Sequence, residues 1–544
     1  MAGHGSKPLR GLESTQQSSI QTGKFGRLFR WLEPALAART PSEEKHIKEM
    51  LELLASLMVS SEFSENVDGP KHQLTPDADL LTPEPVDENI TIAAGYTYFG
   101  QFIDHDTTFD PASSLQQQND PDALVDFRTP RLDLDCIYGR GPADQPYLYA
   151  RPGRHKFILG EDRGVAGMHR PDLHRTLDGT AILGDKRNDE NKIVAQIQAL
   201  FLKFHNKVFD QLAPDFGVGE NDLRFAEAQR IVRWTYQWLV LTDFLPKICD
   251  ASVISKIMPS PGKRAPNLDY YHPHDGDAFI PVEFSVAAYR FGHSMVRPSY
   301  SLNDSAKSFA KFTSAAGKVT GFARIPIFVA HATASTDAMN GFGELAPALP
   351  NAWGIDWTFF FGTPINAPKG TKQIPQPSYR IDATLVDPLG KLPEFTAAHV
   401  KSPFQSLAFR NLMRGASMGL PSGQRVADMM NVVALTDKQL WHLKGEGDVN
   451  KPWPEGKIFL TEHKRWLEGA APLWFYILKE AEILHRGHHL GPVGSRIVGE
   501  TLIGLVWFDH FSYLFQKPQW TPATEGLLGL GNVVDMLTLT AYVD

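Results

Sequence analysis

Gln101 and His105 stand four residues apart in a segment read as helical, so both side chains look onto one side. Asp104 and Asp106 flank the histidine. An amide and an imidazole on one face can handle a proton, although a solvated helix end would carry the same residues. Thr129, Asp133 and Asp135 place oxygens two or four positions apart. Calcium takes about 6–8 oxygen ligands and suits such a loop; an exposed strand with alternating acids would look alike. Arg187 and Glu190 lie three apart where an amphipathic segment begins, and could project to one side. Glu283 to Arg297 reads as one apolar helix with His293 deep in it, where a lone histidine is more often a satisfied core residue than a ligand.

The order and wording of these stretches alter that balance. Gly100-Gln101-Phe102-Ile103-Asp104-His105-Asp106 resembles the distal-histidine motif of the animal-type haem peroxidases, the peroxidase–cyclooxygenase superfamily, and Arg290-Phe291-Gly292-His293-Ser294 resembles its proximal motif. The resemblance implies that His105 is the distal acid–base, that Gln101 lines the distal cavity and that Arg187 is the catalytic arginine. It implies haem b with His293 as axial ligand, Asn411 as acceptor of the histidine's ring N–H, and Arg290 (with Arg414 as a further candidate) near a propionate. Asp104 and Glu190 would be the two carboxylates that can be esterified to the haem; where some members carry a methionine for a third link, this chain has Asn191. Asp106, Thr129, Asp133 and Asp135, with the carbonyl of Arg131, would ligate a calcium ion that ties the distal helix to its loop.

The implied activity is reduction of hydrogen peroxide through a ferryl intermediate, with oxidation of small organic donors or halides. The superfamily's fatty-acid dioxygenases carry a radical-forming tyrosine where this chain has Arg290, which favours a peroxidase. Tyr289 is adjacent but about 100° around a helix from it, and is expected to face elsewhere. A non-catalytic haem- and calcium-binding matrix protein is the remaining alternative, and would not need His105 or Arg187. Ala416-Ser417-Met418-Gly419 departs from the mammalian pattern, as in a distant, bacterial-looking branch.

The elements that must position these residues follow from periodicity. Ala93 to Phe99 is apolar and aromatic and reads as a buried helix leading into the distal motif. Ile193, Ile197, Leu200, Phe201, Phe204 and Val208 recur at helical spacing, capped by Asn188 or Asp189. A mainly α fold with little sheet is expected: a disordered tail over residues 1–24, a helical arm and Pro-rich linker over 25–90, and a catalytic domain over 91–544. Gln116 to Gln118 is a short low-complexity tract. Asp269 to Asp277 and the His485-to-His489 cluster read as a surface loop and a basic helix end.

Composition bounds the partners. The 544 residues carry a net charge of −8, which argues against nucleic acid or an anionic membrane as the main partner. Two cysteines, Cys136 and Cys249, give no disulfide framework. The first residues lack an apolar signal core, and no run approaches the roughly 20 apolar residues of a membrane span. A soluble protein is expected, cytoplasmic or exported without a classical leader.

Overall fold

The structure is a computed structural model and describes residues 25–59, 88–108, 128–165, 167–217, 219–259, 265–304, 325–327, 349–364, 375–392, 403–442 and 454–544. The expected tail, most of the expected linker and Gln116 to Gln118 lie outside the described residues. Helices dominate, and the sheet content is three two-stranded pairings. Among the described residues no helix is long and apolar enough to cross a membrane.

The stretch from Phe25 is built into the body. Phe25–Gly26 pairs in parallel with Ile280–Pro281. Helix α1 (Pro41–Met58) starts on Thr40, whose side chain accepts from Glu43 N–H, and buries Met50, Leu51, Leu54 and Met58. Phe25, Phe29 and Leu54 share one core with Phe99 and Phe201.

Strand β1 (Glu88–Ala93) feeds helix α2 (Gly95–Thr107), the segment that carries the distal motif. Gly95 is needed there: a Cβ would lie 2.4 Å from the carbonyl oxygen of Phe360, which already accepts the Gly95 N–H at 2.7 Å. Helix α3 (Lys192–Gln211) crosses α2 with Phe102 stacked on Phe201, centroids 5.0 Å apart. Its buried face is the one the periodicity marks, but its cap is Asn191, which accepts from Ile193 and Val194 N–H, rather than Asn188 or Asp189. Strand β2 (Pro377–Tyr379) pairs antiparallel with β1. Helix α4 (Leu407–Ser417) brings Asn411 inward, and helices α5 (Leu473–His485) and α6 (Pro492–Trp507) are buried over most of their length.

The segment expected to be one helix through His293 is irregular. Glu283–Ala287 forms a π-turn and Ala288–His293 a 3₁₀ turn, with Ala287 between them at φ −127° and ψ −73°. Its start is fixed from outside: the Glu283 carboxylate accepts the N–H groups of Leu28 and Phe29 at 3.1 and 3.2 Å. Single π-turns of this kind concentrate at functional sites.

Candidate active site

His105 and His293 open on one cavity of about 500 Å³, lined also by Gln101, Asp104, Arg187, Glu190, Tyr289, Arg290, Arg410, Asn411 and Arg414. On its distal side α2 does what the spacing requires, turning Gln101 and His105 to the same wall. Gln101 donates to Glu190 Oε2 at 3.0 Å and accepts from Asn191 at 3.2 Å, while His105 Nε2 lies 4.0 Å from the same carboxylate oxygen. His105 is 4% exposed, and burial first, then the Arg187 charge, holds its imidazole down to about 4. It is therefore a neutral base at neutral pH.

Arg187 is anchored along its length. Its guanidinium bonds Asp185 at 2.7 Å and the carbonyls of His105 and Thr108 at 3.0 and 2.5 Å. Asp185 also takes Arg128 at 2.5 Å, and against its own burial Arg187 and then Arg128 hold its carboxyl well below the usual range. Arg128 in turn pairs with Asp135 at 3.0 Å. A chain of alternating charge thus runs from the loop after α2 to the cavity wall.

His293 Nδ1 sits 2.7 Å from the Asn411 side-chain amide. The atom facing the ring is the amide nitrogen Nδ2, which donates to Nδ1; the expected acceptance of the ring N–H, which would leave Nε2 to ligate, requires the amide to be turned over. Burial, then Arg290 and Arg410, push the imidazole down to about 3. Arg290 lines the cavity while its Nε donates to the Ser285 carbonyl at 2.8 Å. Tyr289 departs from the expectation: it lines the same cavity as Arg290, on an irregular segment of π- and 3₁₀-turns rather than a regular α-helix. Its phenol oxygen is buried and has no hydrogen-bond partner among the described residues.

Asp106, one position past His105, turns away from the cavity, where it accepts from Leu134 N–H at 3.1 Å and Cys136 N–H at 3.4 Å. Thr129 donates to Asp133 at 2.7 Å, Asp133 accepts from Asp135 N–H at 3.2 Å, and the Arg131 N–H bonds the Thr129 carbonyl. Burial, then Asp133 and Asp135, push the Asp106 carboxyl up to about 8. Among the described residues no group of three or more His, Cys, Asp or Glu side chains is arranged to hold a metal ion.

Several participants were not singled out from the sequence. Asp185 precedes Arg187 by two residues, so its place in the same short stretch was a usable signal. Arg128 and Arg410 had none, because their roles come from long-range charge pairing and from the rotation of α4. Asn188, read only as a possible cap, instead meets His105.

The animal haem peroxidase family model matches residues 114–324, which includes Arg187, Glu190 and His293 but neither the distal motif nor Asn411. A peroxidase-like protein of Margaritifera margaritifera is 34% identical over 252 residues, covering 37% of this chain and 31% of that protein. Thyroid peroxidase of Canis lupus familiaris is 25% identical over 245 residues, covering 42% and 24%. The matched part is thus under a third of either relative's length. Among solved structures, peroxidase A from Dictyostelium discoideum shares the fold with a TM-score of 0.55 at 14% identity, covering 92% of this chain and 91% of that one. Fatty acid alpha-dioxygenase of Oryza sativa gives a TM-score of 0.55 at 13% identity, covering 96% and 79%. Over residues 114–324 the chain is thus similar to the animal haem peroxidases, the family its motifs resemble, and it shares an overall fold with peroxidase A and the alpha-dioxygenase.

Proposed function

We propose that the protein is a haem-dependent peroxidase that reduces hydrogen peroxide and oxidises small organic donors or halides. The observation that carries this reading is the pair of buried, neutral imidazoles, His105 and His293, opening on one cavity beside Arg187. The donor set fits haem b: His293 as axial ligand steered by Asn411, Arg290 and its arginine neighbours opposite propionates, and Asp104 and Glu190 as carboxylates able to form esters. When bound, haem supplies the redox-active iron that activates peroxide.

The chain's own residues supply the proton handling. His105 Nε2 takes a proton from one peroxide oxygen and returns it to the other as that oxygen leaves as water. Arg187 stays cationic throughout and stabilises negative charge as the O–O bond lengthens. Gln101, bonded to Glu190 and Asn191, keeps that carboxylate from drifting onto the imidazole. The calcium reading rests on the motif resemblance, with Asp106, Thr129, Asp133, Asp135 and the Arg131 carbonyl as its set; exhaustive chelation is expected to lower thermal stability and turnover together, with calcium restoring both.

The deciding experiment is acid–acetone extraction followed by the pyridine haemochrome spectrum, with guaiacol and bromide turnover on the same sample. Haem retained on the protein with peroxide-dependent turnover supports the full reading. Extractable haem with turnover keeps the peroxidase and removes the esters. Absence of haem from protein grown with haem supplied overturns it. A second reading, a fatty-acid dioxygenase, draws support from Tyr289 in the cavity wall; oxygen uptake with palmitic acid in the absence of added peroxide would favour it.

A further inference from the structure

A buried amide chain leads away from the distal histidine. His105 Nδ1 lies 2.7 Å from Asn188 Oδ1, and Asn188 Nδ2 donates to Gln198 Oε1 at 2.8 Å. Asn188 and Gln198 are 0% and 1% exposed, so water does not compete for these groups. A neutral imidazole carries one ring proton, and which nitrogen holds it follows from the hydrogen bond the other side makes. At Nδ1 an amide oxygen stands in hydrogen-bond reach. At Nε2 the carboxylate oxygen of Glu190 is 4.0 Å away, too far to take a proton in a hydrogen bond.

We propose that Asn188 and Gln198 are positioning residues: the amide pair holds the His105 proton on Nδ1 and so leaves the Nε2 lone pair facing the cavity. The inference deepens the peroxidase reading, because only an unprotonated Nε2 can accept the peroxide proton. Gln198 acts through polarity. By accepting from Asn188 it turns the Asn188 NH₂ away from the ring and its oxygen toward it. Reversing both amides would present an NH₂ to Nδ1, move the ring proton to Nε2, and block the base. Gln198 is a buried residue of helix α3, while Asn188 sits on the turn that also carries Arg187, so the group that orients the base and the cation lie on one piece of chain.

The test reads the tautomer directly. Full-length protein with ¹⁵N-labelled histidine is studied by long-range ¹H–¹⁵N correlation, in a diamagnetic state if haem is bound, with His105 assigned by subtracting the H105Q spectrum. The expected result is a protonated Nδ1 and an unprotonated Nε2. A protonated Nε2 in the wild type overturns the proposal without any variant. N188D and Q198E, which only accept at the positions where acceptors are needed, are expected to keep the Nδ1–H form. Q198L is expected to mix the tautomers and slow the reaction with peroxide at least about tenfold, a fraction of what positioned acid–base groups contribute. Identical spectra for Q198E and Q198L, with unfolding midpoints near wild type, would also overturn it. If the protein binds no haem, the peroxidase reading falls while the tautomer assignment is still decided by the spectrum.

Discussion

His105 gains its chemistry from what surrounds it rather than from its own side chain. Its ordinary value is 6.5, and burial with Arg187 brings it to about 4 in the fold. The unfolded chain therefore binds the extra proton first, so this residue's contribution to stability is present above about 6.5 and is lost as the pH falls toward 4. The base form persists over the same range, and the peroxide reaction is expected to fade only as the pH drops through about 4, measured by stopped flow across a pH series. H105Q is expected to slow that reaction by about 10²- to 10⁴-fold with the fold intact. The sequence made His105 legible because α2 is regular, so four-residue spacing translates directly into a shared face. Tyr289 was misread for the opposite reason: a π-turn followed by a 3₁₀ turn breaks the angular rule on which its direction was argued.

At the scale of elements, the catalytic geometry depends on loops pinned by charge to two helices. The turn Lys186–Asp189 buries Asn188 and Asp189, and Asp185 adds to this by gripping Arg187 and Arg128. Asp189 adds a second clamp through Arg175 at 2.7 Å, which also holds Asp172. Replacing Asp185 with Asn leaves two guanidiniums short of a buried partner, a change that typically costs about 3–5 kcal/mol. D185N is expected to lose stability on that scale in urea unfolding and to lose peroxide turnover even where it still folds. Beyond Asp185's place two residues before Arg187, this network could not be read from the sequence, since Arg128 and Asp185 are 57 residues apart and neither lies on a periodic element. Asn411 was legible only through its motif, its partner histidine being 118 residues away.

For the molecule as a whole, the segment from Phe25 to α1 is part of the structure behind the proximal histidine. Leu28 and Phe29 give their N–H groups to Glu283, and the strand from Phe25 pairs beside Ile280, a few residues before the π-turn. Replacing Glu283 with Ala leaves both N–H groups without their acceptor, at about 1–3 kcal/mol each. E283A is expected to lower the urea midpoint and to weaken haem retention more than it alters reaction at the distal face, which absorbance titration with haem would separate. The helical class was implied by the family resemblance and agrees with the helical spacing from Ile193 to Val208, whereas the inclusion of this segment in the core depends on contacts with residues far along the chain.

The 118 residues between His293 and Asn411 also have a meaning in time. A ribosome adding about 5–20 residues per second needs roughly 6 to 24 s to cross that interval. During it the emerging polypeptide holds both histidines but not the amide beside His293, nor α4, which lines the cavity, nor α5 and α6, which pack against the His293 turn. On the proposed haem reading, productive capture of the prosthetic group is deferred until the last third of translation, when an iron centre would first meet a finished enclosure.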